Sequence, residues 1–216
     1  MTMILYNAQL SPFAARCRIA LYARSLEVEM RNMPGAISED AYAELAPMGK
    51  IPLLVHDGYP VPESEVICEY LDEIGAGPRL MPADPRIRAQ ARIIARIGDL
   101  YLMPPLQILF GQINPVGRDP LQVAKNIEEV GRVLVWLGHY LADDTPYAVG
   151  DRLSLADCMI MPQLFFVMEL GPLFGELALV PKQSRVARYY AHALRDRHIA
   201  RVIEEMKTAL MKLQGY

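Results

Sequence analysis

Ser11-Pro12-Phe13-Ala14-Ala15-Arg16-Cys17-Arg18-Ile19-Ala20-Leu21 decides how the first third of the chain reads. A serine followed by proline is a helix start. The hydroxyl can accept a hydrogen bond from the first turn, and proline at the first helical position forfeits no intrahelical bond. Phe13, Cys17, Ala20 and Leu21 then recur at helical spacing. Before this helix, Met3 to Tyr6 is a short apolar run suited to a buried strand; after it, Leu26 to Met30 alternates and reads as a second strand. Strand, helix, strand is a βαβ unit, which makes the two strands parallel.

Further along, Ile51-Pro52-Leu53-Leu54-Val55 reads as a third strand, and Asp57-Gly58 is a two-residue hairpin turn. Tyr59-Pro60-Val61 returns as a fourth strand whose proline places it at an edge. Glu63 to Ile74 is a helix with Val66, Ile67, Tyr70, Leu71 and Ile74 on one face. Residues 1–76 therefore form an α/β domain, and the glycine- and proline-rich stretch from Gly75 to Pro85 is a linker. Residues 86–216 read as an all-α domain. Ile127, Val130, Leu134, Leu137 and Leu141 mark one helix, Arg185 to Leu213 gives one or two more, and Pro104-Pro105 must end or kink the first long one.

Hydrophobic residues make up 52% of the 216, enough for a core in each half. With 22 basic and 25 acidic residues the net charge is −3, so no bulk electrostatic force favours nucleic acid or an anionic membrane. Cys17, Cys68 and Cys158 are far apart, odd in number and form no C-x-x-C pair, which points to buried free thiols rather than disulfides or zinc. His56, His139, His192 and His198 have no ligand spacing, so no metal is expected. No signal peptide and no apolar run long enough for a bilayer is expected, which makes the chain cytoplasmic.

Three segments of the first half, taken together, resemble the glutathione transferase superfamily. They are Ser11 to Leu21, Pro47-Met48-Gly49-Lys50-Ile51-Pro52-Leu53-Leu54, and Glu63-Ser64-Glu65-Val66-Ile67-Cys68-Glu69-Tyr70-Leu71. A fourth, Tyr147-Ala148-Val149-Gly150-Asp151-Arg152-Leu153-Ser154-Leu155-Ala156-Asp157, is similar to that family's Gly-Asp-x-x-Ser-x-Ala-Asp helix start. The resemblance implies a thioredoxin-like domain (βαβ-α-ββα) followed by an all-helical domain, with glutathione bound by the first and a small hydrophobic electrophile between the two. It also implies a homodimer. The glutathione-binding candidates are Ser11, Phe13, Lys50, Ile51, Pro52, Glu63 and Ser64, and Ser11 is the catalytic candidate.

The chemistry suits these residues. Ser64 opens a helix whose amides and dipole favour a carboxylate, and Glu63 beside it can accept an ammonium, so the pair can read both charges of an α-amino acid. The same two residues could be a plain helix cap. Ile51-Pro52 is the family's cis-proline position; read without the resemblance, Pro52 is a proline at the start of a strand. Lys50 could meet a glutathione carboxylate or lie in solvent. Ser11 can donate a hydrogen bond to the glutathione sulfur, with the helix N-terminus adding amides; lowering a thiol pKa by two units takes about 2.7 kcal/mol. Tyr6 reads as core, and Asn7 as a weak second candidate for that role.

Subclass stays open. Ser-Pro-Phe-Ala-x-Arg resembles the omega-type signature, but Ser11 stands where omega-type members carry cysteine, which disfavours thiol exchange. Zeta-type isomerases and bacterial β-aryl-ether-cleaving members are also similar. The alternatives are thus a glutathione-dependent isomerase, an ether-cleaving enzyme, and a non-enzymatic binding or regulatory protein on the same fold. Tyr101, Met103, Leu106 and Phe110 are read either as lining of the second-substrate pocket or as domain-interface core. Ser154 to Asp157 is a variant capping box, and Asp157 is read as structural.

Overall fold

The computed structural model describes residues 2–143, 145–175 and 179–213. Its residues fall into two compact units, Met1–Met81 with Arg197–Tyr216, and Pro82–Asp196.

The first unit is built on a four-stranded sheet: β1 (Met3–Asn7), β2 (Glu29–Asn32), β3 (Leu53–His56) and β4 (Tyr59–Pro62), in the order β2-β1-β3-β4. β1 and β2 are parallel, joined by α1 (Pro12–Ala23), and β3 runs antiparallel to both β1 and β4. β2 starts three residues later than the alternation suggests. The chain leaves α1 through Ser25 at φ 52, and Leu26 N–H bonds back to Leu21 O, so pairing with β1 begins only at Glu29. The pleat separates two cores. Tyr6, Leu53 and Val55 pack with Tyr42 and Ala46 of α2 (Glu39–Leu45) and its exit. Leu5 and Leu54, alternating with them, are fully buried on the other face. There α1 packs against α3 (Ser64–Ile74), which also contacts β3 and β4.

The linker after α3 is tied down by a buried charge pair. The Arg24 guanidinium donates to the carbonyls of Asp72, Gly75 and Gly77 and lies 3.5 Å from the Asp72 carboxylate. That carboxylate accepts from the Leu80 N–H at 2.6 Å and the Met81 N–H at 3.1 Å. A Cβ at position 75 would lie 2.8 Å from the Arg24 side chain, which explains glycine there.

The second unit is helical: α4 (Pro85–Ile97), α5 (Met103–Gly111), α6 (Pro120–Tyr140), α7 (Leu155–Leu170) and α8 (Arg185–Ala193). Pro104-Pro105 does not end the first long helical run, which continues from Pro85 to Gly111, but the regular α-helix is interrupted just ahead of the two prolines. Proline has no N–H to give back, and the chain answers with a π-helical turn, Gly98–Leu102, in which Met103 N–H reaches Gly98 O. The expectation that no apolar run could span a bilayer needs correction. Pro85–Gly111 and Leu155–Phe174 are both long and apolar enough by length and composition, with 27 and 20 residues and mean hydropathy 1.3. Half of the first window and 72% of the second are buried inside the fold, as core helices are.

The last helix, α9 (Arg197–Leu213), was counted above with the helical domain of residues 86–216. It packs instead on α1 and belongs with the first unit. Its periodicity announces an apolar face but not the element that covers it.

Candidate functional site

Register brings the quoted segments to one end of the first unit's sheet. Tyr6 pairs with Leu53, so the chain leaving β1 toward Ser11 and the chain entering β3 through Ile51 and Pro52 meet there. Leu53 pairs with Pro62, so Glu63 and Ser64, leaving β4, arrive at the same end. Ser11, Ile51, Pro52, Glu63 and Ser64 are thereby neighbours in the fold although 53 positions separate the first from the last.

Ser11 caps α1. Its Oγ accepts from Ala14 N–H at 3.2 Å and its own N–H donates to Ala8 O at 3.0 Å. That leaves the hydroxyl hydrogen committed to no acceptor among the described residues. Phe13 is half-buried with the Arg16 guanidinium stacked 4.9 Å from its ring centre. Arg16 is fully buried and donates from Nη1 to Ser64 Oγ at 3.2 Å. The Ser64 side chain is buried at the N-terminus of α3, its acceptor side taken by Arg16. Cys17 lies beneath, its thiol 3.7 Å from both Phe13 O and Ser64 O.

Glu63 makes no side-chain cap bond, so the plain capping reading does not describe it. It is exposed and sits at φ 69, ψ 118, a backbone conformation that non-glycine residues rarely adopt. Ile51–Pro52 is cis, as expected, and Met33–Pro34, which nothing in the sequence marked, is cis as well. Pro52 is buried, while the Ile51 side chain packs against the Tyr6–Tyr42 cluster. Lys50 is exposed, with its carbonyl taken by the Tyr42 hydroxyl at 2.7 Å.

Tyr6 is core, edge-on to Tyr42 at 5.4 Å. Asn7 is buried: its Nδ2 donates to Asn32 Oδ1 at 2.7 Å and its Oδ1 accepts from Arg18 Nη1 at 2.6 Å. What the sequence reading missed is the pair Arg16 and Arg18. Every face of α1 is buried, so no polar stripe set these two cations apart from a solvated surface.

Two family models decide the classification: glutathione S-transferase, N-terminal domain, matches residues 5–79, and glutathione S-transferase, C-terminal domain, matches residues 97–195. The chain belongs to the glutathione S-transferase family. Similar family members include a stringent starvation protein A homolog of Haemophilus ducreyi, 31% identical over 80% of this chain and 78% of its own. A maleylacetoacetate isomerase of Pseudomonas aeruginosa is 31% identical over 78% of this chain and 83% of its own. Among solved structures, a glutathione S-transferase of Methylobacillus flagellatus with glutathione bound superposes with TM-score 0.76 at 25% identity, over 93% of this chain and 98% of the other.

The pocket candidates of this transferase-family chain go to different places. Met103 is 3% exposed and is core, so it is not free to line a pocket. Phe110 is half-buried, edge-on to Phe166 at 4.9 Å. Tyr101 stands edge-on to Trp136 at 5.6 Å and lines an open, largely apolar depression of about 800 Å³ with Ile93, Leu100, Val135 and Tyr140. All three cysteines are buried and none forms a disulfide. Among the described residues no cluster of His, Cys, Asp or Glu could hold a metal ion.

In the second unit, Asp157 is fully buried at the start of α7. It accepts from Ala148 N–H and the Tyr189 hydroxyl on Oδ1, and from Ser154 N–H and Oγ–H on Oδ2, at 2.7–2.9 Å. Burial pushes its carboxyl up to about 6 against these four bonds, which pull it down.

Proposed function

We propose that this chain binds reduced glutathione at the β1–β3–β4 end of the first unit and activates its sulfur as a thiolate for attack on a small hydrophobic electrophile. The observation that carries the proposal is the Ser11 hydroxyl at the N-terminus of α1. It accepts from Ala14 and has its hydrogen left to give. A sulfur placed there would receive that hydrogen bond together with the positive end of the helix, both of which favour thiolate over thiol. Ser11 is then a stabiliser of charge, and the glutathione sulfur is the nucleophile.

The α-amino acid end of glutathione suits the other side of the site. Ser64, with Arg16 at its back, can donate its hydroxyl hydrogen to the carboxylate at the start of α3, and exposed Glu63 can accept the ammonium. Ile51 lies before the first paired residue of β3, so its backbone is placed to bond the peptide part of the ligand as an added strand, with Phe13 and Lys50 at the margin. The relatives named for isomerisation favour a second reading, in which the thiolate adds to the substrate and is expelled again. The stringent starvation protein relative keeps a non-enzymatic role in view; against it, this chain carries Ser11, Pro52, Glu63 and Ser64 together. We also propose a cytoplasmic homodimer, supported by three buried cysteines that form no disulfide and by the exposed apolar side chains along α4 and α6.

The test is a stoichiometric assay with an activated aryl halide and with a cis-configured enedioate. Aryl halide consumed one-for-one with glutathione means transfer, and isomerised enedioate with glutathione unchanged means the second reading. Neither reaction above the uncatalysed rate would overturn the enzymatic proposal.

A further inference from the structure

Arg18 is 1% exposed, nearly two turns beyond Pro12 on α1, and reaches three elements at once. Nη1 donates to Asn7 Oδ1 at 2.6 Å and lies 3.5 Å from Ala8 O, and Nη2 donates to Gln9 O at 2.9 Å. Nε faces Glu205 Oε2 of α9 at 3.1 Å. Burial works against the Arg18 charge and Glu205 is the largest influence that favours it. Glu205 is itself held: its Oε1 accepts from the Tyr22 hydroxyl at 2.9 Å and from Arg201 Nε at 3.2 Å.

The segment Arg18 grips is the one that delivers Ser11. Ala8 O accepts from the Ser11 N–H, so the carbonyls of Ala8 and Gln9 fix the turn from which the α1 cap emerges. A planar guanidinium with fixed donor directions is suited to holding two carbonyls and a side-chain amide in one geometry, which an ammonium cannot do. A buried cation in that role needs a counter-charge, and the fold supplies it from the far end of the sequence.

We infer that Arg18, held by Glu205, is a positioning residue for the Ser11 hydroxyl, so that α9 sets the geometry of thiol activation without touching the ligand. The inference rests on the function proposed for Ser11, and its test has one arm that does not. The variants are Arg18→Met and the milder Glu205→Gln, with Met206→Ala, a buried α9 residue outside the relay, as the control for general loosening. In the first arm, amide hydrogen exchange is read at Ser11 in the full-length protein without ligand. In the second, the ultraviolet absorbance of the bound glutathione thiolate is titrated against pH.

The expected result is exchange at Ser11 about tenfold faster in Arg18→Met and Glu205→Gln. The bound thiol should titrate about one unit higher in both, while Met206→Ala leaves both readings alone at matched stability. Wild-type values in both relay variants would overturn the inference, and so would equal shifts in Met206→Ala. If wild type binds glutathione without lowering its thiol, the function proposed for Ser11 fails, and the exchange arm still decides whether Arg18 positions the loop.

Discussion

Asp157→Asn should become more damaging as pH falls, the reverse of what a lost salt link would do. Two effects oppose each other at this carboxyl. Four hydrogen bonds favour the ionised form, and complete burial disfavours it; burial wins, with the carboxyl pushed up to about 6 from an ordinary 3.8. The folded state therefore holds the proton more tightly than the unfolded chain between these two values, and stability from this group is present at low pH and lost as pH rises through 6. About two units correspond to ~3 kcal/mol over the full range, of which about 2 kcal/mol is recovered at pH 4.5. Asparagine does not titrate. It also turns its Nδ2 toward one pair of donors, and the Ser154 N–H cannot rotate away, which costs about 1–3 kcal/mol at every pH.

The variant's loss relative to wild type should thus be about 2 kcal/mol larger at pH 4.5 than at pH 7.5. The assay is urea unfolding followed by the fluorescence of the single tryptophan, Trp136, at both pH values. Carboxylates common to both proteins cancel in the difference. A loss that is equal at the two pH values, or larger at pH 7.5, would refute the reasoning and mean that the four hydrogen bonds outweigh burial.

Three further outcomes are expected. Glu63→Gly should raise stability by about 1 kcal/mol by relieving the positive φ, less than the ~1–3 kcal/mol of such strain because glycine also gains unfolded-state freedom. It should weaken glutathione binding by calorimetry at the same time, and a destabilised variant with unchanged affinity would contradict the assignment. Ser11→Cys, incubated with glutathione disulfide, should gain the mass of one glutathionyl group, which the wild type, with its three buried thiols, should not. Trp136→Glu places a charge in the apolar depression of α4 and α6 and should shift sedimentation from dimer to monomer; an unchanged dimer would place the interface elsewhere.

Much of the first unit was legible because its signals are local. The Ser11-Pro12 cap, the Asp57-Gly58 turn and the apolar runs of β1 and β3 each announce an element without reference to the rest of the chain. The start of β2 was not, because Leu26 to Met30 alternates whether or not a partner strand lies beside it. Arg16, Arg18 and the Arg24–Asp72 pair escaped for the same reason: a buried cation is recognised by its partner, and the partners lie 48, 187 and 48 positions away. Glu63 was picked out by type, but its strained backbone has no sequence signature. Met103 stays open between pocket lining and core in the sequence, because helical spacing reports a shared face and not whether that face meets a ligand or the core; its burial favours the core.

The central claim is that glutathione binds where Ser11 and Ser64 converge, and calorimetric titration of wild type, Ser64→Ala and Ser11→Ala with reduced glutathione tests it most directly. Wild type should bind, and Ser64→Ala should bind about tenfold or more weakly, as expected for a lost hydrogen bond to a charged group. Ser11→Ala should bind but leave the bound thiol at its ordinary titration range. No heat from wild type even at millimolar glutathione, or equal affinity in Ser64→Ala, would contradict the account.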